Sequence, residues 1–288
     1  MPSFAVHTNE ASLVEVGLVG RVSHPRHTGT YAVDRDDLPG ILPGMSGVTP
    51  DIRVGSPVFD FACDHGEAGV SAEAEGEAAN LAFQVLACLG NRVTVLSGSA
   101  RGARGTVAGK HAYVLIDFPQ DALEQILPGD RLLVRACGQG LAILEAPEVA
   151  SRNCSPHLMD RLGVALTGPG AISVAVAAQL APEVMGAGLG MDCEWANCDV
   201  MLHDRGTVRR LQLEDLRVGD LVGMPAQDHR FGRRYDPRYA AVGVVVHALG
   251  PSPGHGVGVV TLLSGPRELL SFRPERGRNL KDLLELAP

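Results

Sequence analysis

Residues 92–118 read RVTVLSGSARGARGTVAGKHAYVLIDF. Arg92 to Leu96 alternates polar and apolar side chains, the period-two pattern of a half-buried strand. Ser97 to Gly105 is rich in glycine and serine and turns the chain. Thr106 to Gly109 resumes the strand pattern, and Tyr113 to Phe118 is a further apolar strand. Downstream, Leu123, Ile126 and Leu127 predict one or two helical turns over 121–127, and Pro128-Gly129-Asp130 launches the strand Arg131–Ala136. Upstream, Gly90-Asn91 breaks a helix predicted over 74–89. Its Ala78, Leu81, Ala82, Val85, Leu86 and Leu89 fall on one face.

The same alternation of short strands and turns continues along the chain. Residues 1–57 predict short strands and long loops, with Pro25, Pro39 and Pro43 opposing helix. Val58 to Ala62 predicts a strand that ends at Cys63-Asp64-His65-Gly66. Ser155-Pro156 opens a short helix that Gly163 closes, and this helix marks the expected boundary between two β-rich domains, 1–150 and 151–288. Beyond it lie a strand over 171–179, a glycine-rich loop over 182–190 and a strand within 194–202. Leu280, Leu283 and Leu284 form a C-terminal docking helix. Leu127-Pro128-Gly129-Asp130 is echoed by Arg217-Val218-Gly219-Asp220, and each Gly-Asp starts an apolar strand. Convergent turn chemistry explains the echo better than duplication does. The expected fold is mainly β, of the α+β kind, with barrel or sandwich-like modules and a few short helices. No dinucleotide or P-loop glycine motif is present.

Composition narrows the function classes. Hydrophobic residues make up 45% of 288, enough for a full core, and aromatics only 4%, too few for base-stacking platforms. A net charge of −8 opposes binding to a phosphate backbone, so nucleic acid is not an expected partner. No apolar run is long enough to span a membrane, and no basic segment followed by an apolar core marks a signal peptide. The six cysteines are scattered, which suits a reducing cytoplasm. Cys63 and Cys137 are thiol candidates for which a packing role is the better reading.

The chemistry concentrates in residues 228–261, DHRFGRRYDPRYAAVGVVVHALGPSPGHGVGVVT. Two apolar strands aim Asp228, His229, His247 and His255 at one loop end, a candidate catalytic set. Imidazole titrates near neutrality and is the commonest metal ligand, so His229, His247 and His255 are candidates for a divalent metal. His255 stands between two glycines, which lets backbone approach a ligand. Asp64-His65 is the first-half counterpart and joins the site only if its loop meets this one. Arg230 and Arg233 would hold an anionic substrate group. Arg101 and Lys110 would do so in an alternative anion nest around the 97–105 turn. These residues lead to a hydrolase-like or lyase-like enzyme acting on a small polar metabolite. The alternative is a non-catalytic ligand-binding or assembly protein, with its glycine loops serving subunit contacts in a homo-oligomer.

Two resemblances add to this. The string GNRVTVLSGSARGARGTVAG is similar to the KOW motif of ribosomal and transcription-factor domains, which implies a small barrel. A combined pattern covers about residues 60 to 265: the same segment, VRACGQGL, PEVMGAGLG, LRVGDLVGMPAQDHRFGRRY and VGVVVHALGPSPGHGVGVVTLLSG. It resembles domain-of-unknown-function family 4438 of bacteria and archaea. The resemblance implies a two-part, β-rich fold and no activity. It also leads one to expect Pro where Val257 stands, an acidic residue near Ala226-Gln227 and Tyr at Phe231.

Overall fold

The fold is described from a computed structural model, over residues 6–27, 31–33, 38–45, 47–59, 61–188, 190–251 and 254–287. Leu189, Ser252 and Pro253, which belong to two of the glycine loops singled out above, lie outside these. The stretch 92–118 forms three consecutive antiparallel strands of a closed barrel. Its members are β1 (Val16–Val22), β2 (Gly69–Glu73), β3 (Arg92–Val95), β4 (Arg104–Lys110), β5 (Val114–Asp117) and β6 (Arg131–Ala136). The order is β1-β6-β3-β4-β5-β2, and Val22 paired with Ala72 returns β2 to β1 and closes the ring. Closure removes the free edges that an open sheet would expose. Alternation directs Val22, Val70, Val93, Val107, Ile116, Leu132 and Val134 into an apolar core.

The helix α1 (Glu77–Leu86) lies within the predicted span but buries a different face. Leu81 is 51% exposed, whereas Phe83 is 1% exposed. The reason is Gly20 of β1, where a Cβ would meet the Phe83 ring at 2.6 Å. The aromatic ring fills the space of the missing side chain and joins the barrel core. Burying such a ring is worth roughly 1.5–3 kcal/mol.

The second half carries β7 (Ala171–Val176), β8 (Cys198–Val200), β9 (Leu221–Asp228), β10 (Arg234–His247), β11 (Val257–Pro266) and β12 (Leu270–Pro274). A sheet runs Ala150–Ser151, β11, β10, β9, Ala178–Gln179, with β8 also on β11. β7 pairs in parallel with β12. Of the segment 194–202, only Cys198–Val200 is strand. The short helix Pro156–Met159 forms as expected, with the Ser155 side chain accepting from Leu158 N–H, and Asn279 caps Leu280–Leu283 in the same way. The halves share a core in which Leu89, Tyr113 and Leu115 pack with Val242, Val244 and Leu262. Gly109 of β4 lies against Val246 of β10, where a Cβ would come to 2.8 Å. No helix among the described residues is long and apolar enough to cross a membrane.

Candidate functional site

The two halves also touch at the end of β10. His247 closes β10, and a register shift between Val245 and His247 re-aims its side chain, as bulges do. Gly258 of β11 pairs with His247 on one side and with Asp199 of β8 on the other. One cross-strand row therefore reads His247, Gly258, Asp199. The central residue must be glycine, because a Cβ there would strike the His247 ring and come to 2.8 Å of Asn197 Nδ2. Across that gap His247 Nε2 reaches to 3.6 Å from Asp199 Oδ1.

The first half meets this row through Glu67, whose backbone bridges His247, and through Gly66, whose carbonyl accepts from Ala248 N–H at 2.9 Å. The loop holding Asp64 and His65 is thereby set against the loop holding His255. His65 Nε2 lies 2.5 Å from His255 Nδ1. His65 itself has a left-handed backbone, φ 55°, a conformation uncommon outside glycine and concentrated at functional positions. His111, just past β4, completes the group. Its ring centroid is 4.4 Å from that of His247 and 5.0 Å from that of His65.

Three of the four rings are held from behind. His65 Nδ1 is 3.0 Å from Asp64 Oδ1, and His111 Nδ1 is 2.7 Å from Glu67 Oε1. Glu67 accepts in turn from Ser71 Oγ at 2.5 Å. His247 Nδ1 is 2.9 Å from its acceptor, the Ala248 carbonyl, so its lone pair sits on Nε2, towards Asp199 and Asn197. This is the outer-sphere pattern of metal-binding histidines, in which a carboxylate or carbonyl fixes the tautomer and leaves the other nitrogen free. Ligand atoms of His65, Asp199 and His255 all lie within 4.8 Å of one another.

The electrostatics are those of a ligand set. Burial pushes the His247 imidazole down to about 4, helped by neighbouring His111 and opposed by Asp199, so it is neutral at pH 7. Burial would raise Asp199. Neighbouring His247, His65 and His111 outweigh it and hold the carboxyl below its usual range. Burial would lower His65, and the Asp64 contact with the charges of Asp199 and Glu67 raises it instead. His255 is the open side, with a side chain 49% exposed.

The other candidates are placed elsewhere. His229 is buried and contacts Thr261 at 2.8 Å and Gln227 at 3.3 Å, away from the cluster, and burial pushes it down to about 3. Asp228 pairs with Arg230 and Arg234. Arg230 stacks over Tyr239 at 4.0 Å. Arg233 is fully buried and donates to the carbonyls of Gly188, Asp192, Ala196 and Asn197, so it clamps the loop that carries Asn197. Arg101 lies exposed in the turn before β4, and Lys110 is buried at the far end of that strand. The Lys110 ammonium donates to Asn153 and the Glu194 carbonyl, and burial lowers it to about 8. The anion nest thus does not assemble. Cys63 is buried and its thiol is pushed up to about 11, which suits packing rather than attack. Reasoning from sequence missed Asp199, Asn197, Glu67 and His111. Only Glu67, in Asp64-His65-Gly66-Glu67, carried a local signal.

Family models match nearly the whole chain. One, described as domain of unknown function (DUF4438), N-terminal, matches residues 31–160, and its C-terminal counterpart matches 161–284. Among solved structures, that described as "Crystal structure of TM1086" has a TM-score of 0.92 and 32% identity, covering 98% of this chain and 99% of that chain. No curated protein matches.

Proposed function

We propose that this chain, which belongs to the DUF4438 family, is a metal-dependent enzyme of the hydrolase or lyase kind that acts on a small polar metabolite. The observation that carries this reading is the convergence of His65, Asp199 and His255 within 4.8 Å, with Asp64 placed behind His65. Two imidazoles and one carboxylate make a set that suits zinc, manganese or iron and leaves further positions for water and substrate. Such an ion supplies a hydroxide-like water at neutral pH and polarises a bound oxygen.

The chain's own residues do the rest. Asp64 orients His65, and Asn197 Nδ2 donates to Asp199 Oδ1 at 2.9 Å, fixing the carboxylate plane. His255, on the exposed side, marks the face from which substrate enters. The test is elemental analysis of full-length protein after chelation and reloading with zinc or manganese. Stoichiometric metal in the wild type and at least a tenfold weaker site in His65→Ala are expected. A protein that takes up no ion under any loading condition sinks the reading.

A further inference from the structure

The two oxygens of Asp199 have different neighbours. Oδ2 lies 3.7 Å from His255 Nδ1, on the side shared with His65. Oδ1 is turned away from that side and accepts from Asn197 Nδ2 at 2.9 Å. The same amide nitrogen lies 3.1 Å from His247 Nε2. Asn197 therefore stands between the carboxylate and the imidazole, and it bridges the 3.6 Å that separates them. All three side chains are buried.

Geometry dictates where the protons sit. His247 Nδ1 faces the Ala248 carbonyl at 2.9 Å, so Nδ1 donates and Nε2 keeps its lone pair. A primary amide carries two hydrogens, and both have an acceptor here, Asp199 Oδ1 and His247 Nε2. Turned round, the amide would set its oxygen against a carboxylate and a lone pair. The amide is also anchored through its backbone, because the buried Arg233 donates to the Asn197 carbonyl at 2.7 Å. Gly258 leaves room for the row, since a Cβ there would come to 2.8 Å of Asn197 Nδ2.

A packing role for His247 accounts for a buried ring with both nitrogens satisfied. It does not account for the identity of its donor, the one amide that also holds a carboxylate of the proposed site. We infer that His247 is a positioning residue that acts through Asn197. The imidazole fixes the amide, the amide holds Oδ1, and Asp199 is left to bind the ion through Oδ2 alone. This rests on the metal-dependent reading above and deepens it. An ion that drew in Oδ1 as well would strip a buried amide hydrogen of its acceptor. With one atom each from His65, His255 and Asp199, the ion keeps an open fourth position. That is the arrangement of catalytic zinc, and it differs from the many-oxygen surroundings that magnesium and calcium take. The ligand class is thus a divalent ion that accepts four-coordination, zinc foremost.

Co²⁺ in place of zinc tests this, because its visible absorption is intense when four-coordinate and weak when the coordination number rises. Full-length protein is stripped with chelator, titrated with Co²⁺ and read by absorption, with elemental analysis for stoichiometry. The wild type is expected to bind one ion per chain with the intense spectrum. In Asn197→Ala, Oδ1 is released, and one ion per chain should show the weak spectrum of a carboxylate bound through both oxygens. His247→Phe keeps a ring in the space but removes the acceptor, and it should move the spectrum the same way. His247→Gln, whose side-chain carbonyl can accept from Asn197, should restore it. Thermal unfolding in chelator separates these shifts from misfolding. A weak spectrum in the wild type overturns the one-oxygen assignment and leaves the metal-dependent reading standing. An intense spectrum unchanged in Asn197→Ala, or in His247→Phe, overturns the positioning role. Failure of every form to bind Co²⁺ removes both readings together.

Discussion

At the scale of single residues, Gly258 is the position on which the site depends without touching any ligand. It separates His247 from Asp199 in one cross-strand row, and the missing Cβ is the space His247 crosses. Gly258→Ala is expected to displace the imidazole and weaken metal binding at least tenfold, read by dialysis. An alanine variant with unchanged affinity would show that the row does not set the geometry. Asp228 gives a second expectation, this one in pH. Burial would raise its carboxyl, but hydrogen bonds from Arg230 and Arg234 hold it down at about 2, from an ordinary 3.8. A depressed carboxylate contributes stability that is complete above about pH 4 and is lost as pH falls towards 2. At about 1.4 kcal/mol per pH unit, and discounted for the largely exposed Arg234, this is on the order of 1–2 kcal/mol. Urea midpoints of wild type and Asp228→Asn should therefore converge between pH 5 and pH 2.5, and a constant gap would contradict the assignment. The site was half legible at this scale. His247, His255 and Asp64-His65 stand beside glycines at strand ends, which is a local signal. Asp199, Asn197 and His111 arrive from separate elements, and only the pairing of β8 with β11 and the barrel's contact with β10 bring them in. His229 misled for the opposite reason: it adjoins Asp228 in sequence, but the end of β9 turns it towards Thr261.

At the scale of elements, the Gly-Asp echo has a common geometry. Asp130 Oδ2 accepts from Leu127 N–H at 3.0 Å, and Asp220 Oδ2 accepts from Arg217 N–H at 2.8 Å. The preceding glycines have φ of 93° and 89°. The side chain replaces a backbone acceptor and launches a strand in each case, so one turn chemistry serves both places. Their surroundings differ, and a measurement can use that. At Gly129 a Cβ meets nothing within 4 Å, while at Gly219 it would come to 2.5 Å of Val54 Cγ1 and 2.7 Å of Asn279 Oδ1. Gly129→Ala should cost only the left-handed strain of about 1–2 kcal/mol. Gly219→Ala should cost that plus a steric displacement, for a total of at least ~3 kcal/mol. Equal losses in chemical denaturation would show that strain alone governs both turns. Most strands, turns and caps were readable here because alternation and glycine act locally, but Val58, Phe59, Phe61 and Ala62, expected as strand, form none. The buried face of α1 was not, since Gly20 of another strand selects Phe83.

At the scale of the molecule, the proposed centre joins the two matched regions. His65 and His111 lie within residues 31–160, and Asp199, His247 and His255 lie within 161–284. The halves already share a core, in which Tyr113 and Leu115 pack with Val242 and Val244, so separation would expose apolar surface on both. Unfolding should accordingly be a single transition in apo and metal-loaded protein alike. Metal that binds only the native state adds RT ln(1 + [M]/Kd), about 2.7 kcal/mol at a hundred times Kd. For a chain of this size that raises the melting temperature by roughly 4–5 °C. The increment belongs to ligands from both halves, so His255→Ala and His65→Ala should each reduce it. In His255→Ala the apo melting temperature should change little, because that side chain is 49% exposed and sits outside the shared core. Scanning calorimetry with and without chelator reads all of this at once. If the rise survives in both variants, the stabilising ion is bound elsewhere; if two transitions separate in the apo protein, the common core does not couple the halves.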